Sequence, residues 1–340
     1  MNPLRVEHLA RIDDGLLDEL GVASTRFYRG ELERIQVAQR GHGTTTYLVA
    51  RDEVGRPLGL APVYIARPPW HPTVDPEMLP PAAEGASVCA VGSYGVYANY
   101  LTVAASVPGP AAAAVVRVLV ERARAEARGS GSGHILFPYL DSTQAAWLRP
   151  YRDAAEAVSV RAKAVLPVVW DSFDEYVSWL PSRRRTPVRR ERRRFQESGI
   201  DLRLRRVADV AEETAPLLAE TEKRYGREAD PRRIEFHYTL LGMHLGDDFV
   251  ALVAYLGGRP VACSLLLACG DRWISKAWGC DYAAVGDRSL YFNLVFYEPV
   301  IRAIERGVAF LDYGLGGLES KTERGCVLEP LATIRIPSDC

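Results

Sequence analysis

Two stretches of the chain carry the same pattern of apolar positions around a tight turn. Residues 47–66, YLVARDEVGRPLGLAPVYIA, and residues 249–268, FVALVAYLGGRPVACSLLLA, place apolar runs rich in β-forming residues on both sides of a Gly-Arg-Pro triplet. The triplets stand at Gly55, Arg56 and Pro57 and again at Gly258, Arg259 and Pro260. Apolar runs bracketing a glycine turn predict a β-hairpin. Its recurrence about two hundred residues later predicts two units of one architecture.

The segments after the two hairpins match in outline. In the second copy a strand is expected over residues 273–278, then a helix from Ser289 to just before Gly307, then the short strand VAFLDYG. Leu290, Leu294, Tyr297, Ile301 and Ile304 fall on one helical face, with Gly307 as the residue past the C-terminus. Pro299 sits inside that pattern and predicts a kink or a late start. In the first copy a proline-rich insertion, ARPPWHPTVDPEMLPPAAEG, delays the strand to residues 87–91. A helix then opens at Pro110, a favoured first-turn position, and runs to Gly129 before the strand HILFPYL. Amphipathic segments at residues 13–20 and 210–225 supply helices ahead of the hairpins. The join falls near residues 160–172, which gives an N-terminal domain of residues 1–165 and a C-terminal domain of residues 166–340. Each is expected to be an α/β unit, a mixed and mostly antiparallel sheet flanked by helices.

Composition adds limits. The 340 residues exceed one typical core, and 48% hydrophobic with 25% charged content is ordinary for a globular protein. A formal net charge of −1 gives no whole-molecule attraction to a polyanion, so such a partner needs a local patch. Charges in MNPLRVEHLARIDD and the lack of a long apolar run predict a cytoplasmic protein without membrane insertion. The six cysteines show no CxxC spacing and the six histidines no HExxH, so no metal is expected. The oligomeric state is not legible.

Four groups of residues carry candidate chemistry. In SRRRTPVRRERRRFQESGIDLRL, residues 182–204, Thr186-Pro187 reads as a helix start and Gly199 as the stop, with Val188 and Phe195 as anchors. Arg189, Arg190, Arg193 and Arg194 either contact the phosphates of a carrier or form a solvated face neutralised by Glu175, Glu191 and Glu197. Next, GLGGLESKTERG, residues 314–325, is a glycine-rich loop after a buried strand. Lys321 in it would stabilise an oxyanion, and Glu319 or Asp312 would take the proton of an attacking amine; the plain alternative is a surface turn. In GSYGVYANY, residues 92–100, Tyr94, Tyr97, Asn99 and Tyr100 offer aromatic faces and polar tips for a substrate, or else pack as an aromatic loop. Trp278, Asp281 and Tyr282 stand at the end of a central strand of the second copy, with Asp281 a secondary candidate base. Tyr291 and Arg324 complete the substrate-binding candidates.

The arginine-rich segment, the hairpin and YFNLVFYEPVIRAIERGVAFLDYGLGGLESKTERG together resemble the FemAB-like branch of the GNAT superfamily. The resemblance implies two tandem GNAT-like domains, the first on the acceptor side and the second on the donor side, with the acceptor held in a groove between them. It implies an acyltransferase that moves an acyl or aminoacyl group to an amine of a small molecule or peptide, with Lys321 stabilising the reacting acyl or phosphate group. Neither YAAVGDRSLYF nor YLTVAASVPGPAAAA holds the Gln/Arg-x-x-Gly-x-Gly/Ala loop with which acetyl-CoA-dependent members bind pyrophosphate. That departure favours aminoacyl-tRNA as co-substrate, with acyl-CoA as the alternative; no tightly bound cofactor is expected. A non-catalytic nucleic-acid-binding module of the same fold is the reading from a different class.

Overall fold

The computed structural model describes residues 4–21, 43–67, 87–94, 97–268, 270–286 and 288–339. The chain divides into two compact units, residues 1–162 with 329–340, and residues 163–328.

The first unit contains β1 (Arg5–Leu9), α1 (Asp14–Glu19), β2 (Gly43–Arg51), β3 (Pro57–Ala66), β4 (Val88–Val91), β5 (Thr102–Val103), α2 (Gly109–Gly129), β6 (His134–Leu140) and α3 (Ser142–Trp147). Its sheet runs β1-β2-β3-β4-β6 and closes with β13 (Val327–Pro337), while β5 pairs with β3. All pairings along it are antiparallel except β4 with β6. Helix α2 is the crossover between those parallel strands, as parallel neighbours require. Val115, Val116, Leu119, Val120, Ala123 and Ala127 give it one apolar face, which packs on Leu48, Ala61, Val63, Cys89 and Phe137 of the sheet.

The second unit follows with β7 (Glu156–Pro167), which begins in the first unit's residues, then α4 (Phe173–Trp179), α5 (Ser182–Gln196), β8 (Asp201–Arg206), α6 (Val207–Arg224), α7 (Pro231–Leu245), β9 (Phe249–Leu256), β10 (Arg259–Leu267) and β11 (Arg272–Cys280). It ends with α8 (Tyr282–Val285), α9 (Leu290–Phe292), a π turn at Asn293–Tyr297, α10 (Glu298–Glu305), β12 (Phe310–Asp312) and α11 (Leu318–Thr322). Its strand order is β8-β9-β10-β11-β12-β7, and only β11 with β12 is parallel. The two sheets therefore share one spatial order of parallel and antiparallel neighbours, the mixed α/β unit that the repeated hairpins predict.

Three expectations change in detail. The sixth place in the first unit's sheet belongs to β13, from the end of the chain, so residues 329–340 group with the N-terminal unit rather than with residues 166–328. The partners of a terminal strand are set by hydrogen-bond register at long sequence separation, as in Ile336 opposite Ile135. The two Gly-Arg-Pro hairpins also turn differently. Leu256 pairs directly with Arg259 around Gly257 and Gly258, both at positive φ, as a two-residue turn requires. In the first copy Asp52 Oδ1 accepts from Val54 N and Arg56 N at 3.0 and 2.9 Å, holding a wider loop. Finally, the arginine helix α5 begins at Ser182 behind Pro181 and carries Pro187 inside it, so Thr186 is no N-cap. Buried Val188 and Phe195, seven residues apart, seat its inner face whatever the cap does. The proline-rich insertion over residues 66–85 lies largely outside the described residues.

Candidate active site

In the second unit α6 lies against β11, and Gly279 permits the approach: a Cβ there would stand 2.6 Å from Leu218 N and 2.7 Å from Leu217 C. This close packing defines two clefts that share Trp278 on their walls. One, of about 530 Å³, opens where β11 ends and the next helix begins. Arg190 and Arg194 from α5 and Arg224 from the end of α6 reach it, together with Tyr225, Tyr282 and Tyr291. The other, of about 980 Å³, lies between α6, α7 and β11.

The helix beside the smaller cleft is irregular, and the irregularity answers the expectation at Pro299. Proline lacks the N–H that a continuous helix would use, and the chain widens into the π turn just ahead of it. Asn293, the first residue of that turn, is fully buried. Its Nδ2 donates to Ser289 O and Glu191 O at 2.9 and 3.2 Å, and its Oδ1 accepts from Arg192 at 3.2 Å. One side chain thus ties α5 to the turn.

Beneath the cleft wall lies a buried charge cluster. Arg324 is 1% exposed, with its guanidinium carbon 3.4 Å from the centroid of the Phe292 ring. It donates to Ser320 O at 2.9 Å, to Tyr297 Oη at 3.3 Å and to Glu191 Oε2 at 3.3 Å. Tyr297 donates its hydroxyl proton to the same Glu191 oxygen. Burial pushes the Tyr297 phenol up, opposed by Arg324 and reinforced by its bond to Glu191, so it stays a neutral donor. A buried cation, a carboxylate and a phenol that satisfy one another in this way form a rigid floor.

The sequence candidates fall into distinct places. Arg189, Arg190, Arg193 and Arg194 are exposed on α5, with Arg190 and Arg194 at the cleft and Arg189 and Arg193 outside its lining. Two members of the run pair with acids other than Glu175, Glu191 and Glu197. Arg192 pairs with Glu298 at 2.6 Å and Arg184 with Glu323 at 3.4 Å, whereas Glu191 turns to Arg324. Trp278, Tyr282 and Tyr291 line the cleft; Trp278 Nε1 stands 3.4 Å from Tyr282 Oη and its ring meets Tyr291 edge to face. Arg324 lies inside the floor rather than on the wall. Asp281 caps α8, accepting from Ala283 N and Ala284 N at 3.1 and 3.0 Å, and pairs with Arg259 at 3.1 Å.

Lys321 is buried and lines neither cleft. Its ammonium donates to Tyr313 O and, at 3.3 Å, to Gly314 O. Asp312 is buried between Lys163 Nζ at 3.1 Å and Gly314 N at 2.9 Å, and Glu319 is exposed on the first turn of α11. The glycine-rich loop therefore folds around its own charges.

In the first unit Tyr94 is buried and stacked on Tyr64 with centroids 6.2 Å apart, and Tyr100 is buried as well. Asn99 is a buried strut: Nδ2 donates to Val91 O at 3.0 Å and Pro138 O at 2.8 Å, and Oδ1 accepts from Leu101 N at 2.8 Å. Among these four, Tyr97 alone is solvent-facing, its ring edge-on to Tyr139. Gly95 and Val96 of this segment lie outside the described residues.

Burial pushes the Lys321 ammonium down to about 8, against the opposing pull of Cys326 and Asp312. Between that value and the ordinary 10.5 the unfolded chain holds a proton that the folded one lacks, so stability should rise with pH across the interval. Lys321→Met, which cannot titrate, should lose this rise. Urea unfolding midpoints at pH 7.5 and pH 10 measure it, and equal pH responses of the two proteins would refute it.

The sequence model of the FemAB-like family, described as peptidoglycan biosynthesis/recognition, matches residues 103–336. No curated protein sequence matches the chain significantly. Among solved structures the fold is similar to FemX, with a TM-score of 0.64, 12% identity and 97% of both chains covered. It is similar to a conserved protein of unknown function from Bacteroides thetaiotaomicron, with a TM-score of 0.61, 14% identity, and 99% of this chain and 100% of that one covered. A tandem GNAT protein from the clavulanic acid biosynthesis pathway matches with a TM-score of 0.56, 13% identity and 99% of both chains covered. At such identities the likeness is one of fold, and it agrees with the paired sheets described above. With more than half its length matched by the family's pattern, the chain belongs to the FemAB-like family and is built on a tandem GNAT fold.

Proposed function

We propose that the chain transfers an acyl or aminoacyl group to the amine of a small molecule or peptide. The observation that carries the reading is the cleft at the end of β11, where Arg190, Arg194 and Arg224 converge beside Trp278, Tyr225 and Tyr291. Guanidinium groups suit phosphate oxygens, and aromatic faces suit the bases of a nucleotide carrier. The donor's phosphates sit against these arginines. The amine nitrogen attacks the donor carbonyl carbon, the carrier's ester or thioester bond breaks, and the amine's proton leaves with the carrier's oxygen or sulfur. No covalent enzyme intermediate is needed, and proximity with charge stabilisation supplies the rate.

Lys321, bound to the Tyr313 and Gly314 carbonyls and outside both cleft linings, takes no direct part in this step. Asp281, Asp312 and Glu319 take lesser parts, because the first two are held by Arg259 and Lys163 and the third faces solvent. Aminoacyl-tRNA is the preferred donor, since the pyrophosphate loop of acetyl-CoA enzymes is missing and three arginines stand in the cleft. Acyl-CoA is the second reading, because its phosphates would suit the same three arginines. The family's description, peptidoglycan biosynthesis/recognition, supports a peptide amine as acceptor.

Mass spectrometry of candidate peptide amines incubated with the protein and either charged tRNA or acyl-CoA reports reaction and donor together. A mass gain with charged tRNA alone is the expected result. A gain with acyl-CoA alone would reverse the order of donors, and RNA binding without any product would leave a binding module.

A further inference from the structure

Helix α7 presents an outer face that nothing in its own unit covers. Its inner face is seated firmly: Leu241, Gly242 and Leu245 are buried, and a Cβ on Gly242 would stand 2.7 Å from Ala208 N. That seating fixes the opposite face outward. On it Phe236 is 64% and Met243 73% exposed, with Leu240 partly exposed between them at the i, i+4, i+7 spacing of a single stripe. Exposed apolar side chains scattered singly need no explanation, but three aligned on one helix do.

The margins of the stripe are basic. Arg232, Arg233 and His244 are exposed on α7, and Lys223, Arg224 and Arg227 are exposed on the approach to it. Tyr225, 68% exposed, stands on the same approach. Some of this charge is offset locally: Arg227 pairs with Glu222 at 2.8 Å and Arg233 lies 4.0 Å from Asp230. Glu228 is also exposed, and Glu235 is half-buried at the margin of the stripe. Residues 222–244 nonetheless hold five arginine and lysine side chains against four carboxylates in a chain whose formal net charge is −1, and Arg232 stands one turn from Phe236 on the stripe itself.

We propose that the outer face of α7 docks peripherally on an anionic lipid surface. Phe236, Leu240 and Met243 enter the boundary between headgroups and acyl chains, and Arg232 and Arg233 on the same helix contact the headgroup phosphates. Charge favours this occupant over a second copy of the chain. A two-fold contact sets the same patch against itself and would bring the arginines of both copies together. Docking here is lateral, for no helix among the described residues is long and apolar enough to cross a membrane.

Co-sedimentation of the full chain with phosphatidylcholine vesicles, with and without phosphatidylglycerol, tests the proposal. We expect partitioning at least tenfold stronger onto the anionic vesicles and weakened by salt. Phe236→Ser/Met243→Ser should abolish it, and Arg232→Glu should weaken it about tenfold, with thermal melting unchanged in both. None of these three residues lines either cleft, so turnover of a water-soluble amine should be unaffected. Absence of partitioning, or partitioning that survives the double substitution, would overturn the proposal. So would light scattering showing a dimer that the double substitution dissolves while vesicle binding is unchanged, which would assign the face to a second copy.

Discussion

Arg324→Met is expected to destabilise residues 163–328 by about 3–5 kcal/mol, the usual consequence of removing one partner from a buried ion pair. The side chain is 1% exposed and serves three acceptors while lying on the Phe292 ring. Its loss leaves the Glu191 carboxylate with the Tyr297 hydroxyl and the Ser320 carbonyl without its donor. Arg324→Lys should recover little, because an ammonium cannot reach Ser320, Tyr297 and Glu191 in one plane while stacking on an aromatic face. Glu191→Met combined with Arg324→Met should recover part of the loss, since the uncompensated carboxylate is then gone. Urea unfolding midpoints of the three variants check this. A midpoint for Arg324→Met close to that of the wild type would show that the cluster does not hold the floor. Turnover should fall as well, because Phe292 on the cleft wall rests on Arg324.

The second large effect is on function. Neutralising Arg190, Arg194 and Arg224 to glutamine should reduce turnover by about a hundredfold or more, given roughly 1.5–3 kcal/mol for each hydrogen bond to a charged group. Stability should change by less than about 1 kcal/mol, as for most surface substitutions, because all three side chains are exposed. Arg224 also lies 4.3 Å over the Tyr282 ring, so a small loss of packing is included in that figure. If single-stranded RNA is the carrier, the dependence of binding on salt should flatten by about two in logarithmic slope, near 0.7 for each phosphate no longer neutralised. Undiminished turnover would place the donor elsewhere. Arg189 and Arg193 stand outside the cleft lining, so neutralising them gives a control for the loss of two charges from the same helix.

Much of the fold was legible because its signals are local. Hairpins at 47–66 and 249–268, the crossover helix at Gly109–Gly129 and the strand His134–Leu140 follow from period, turn residues and glycine stops. The cleft was half legible. Trp278, Tyr282, Tyr291, Arg190 and Arg194 stood among the sequence candidates and line it, while Arg224, Tyr225 and Phe292 did not. Arg224 and Tyr225 sit at the end of a helix recognised only for its amphipathic face, and nothing in their neighbours marks them. Sequence proximity alone makes Glu191 a counter-charge for the arginine run. Its true partner is Arg324, 133 residues away, and no spacing rule reaches so far.

Sequence alone settled that the chain repeats a hairpin, strand, helix and strand, and that an arginine-rich helix precedes the second copy. Alternation, helical period and turn chemistry are written within ten or twenty residues, so they survive without coordinates. Tertiary structure alone decided which sheet receives β13, why α5 starts before Pro187, and which charges are already engaged. Asn99, Asp281, Asp312 and Lys321 look like reactive groups in a string of letters, yet each is held by backbone groups or an opposite charge in its own unit. A buried polar group must find a partner or remain desolvated at a cost of a few kcal/mol, roughly 1–3. Which partner it finds depends on distances that only packing creates.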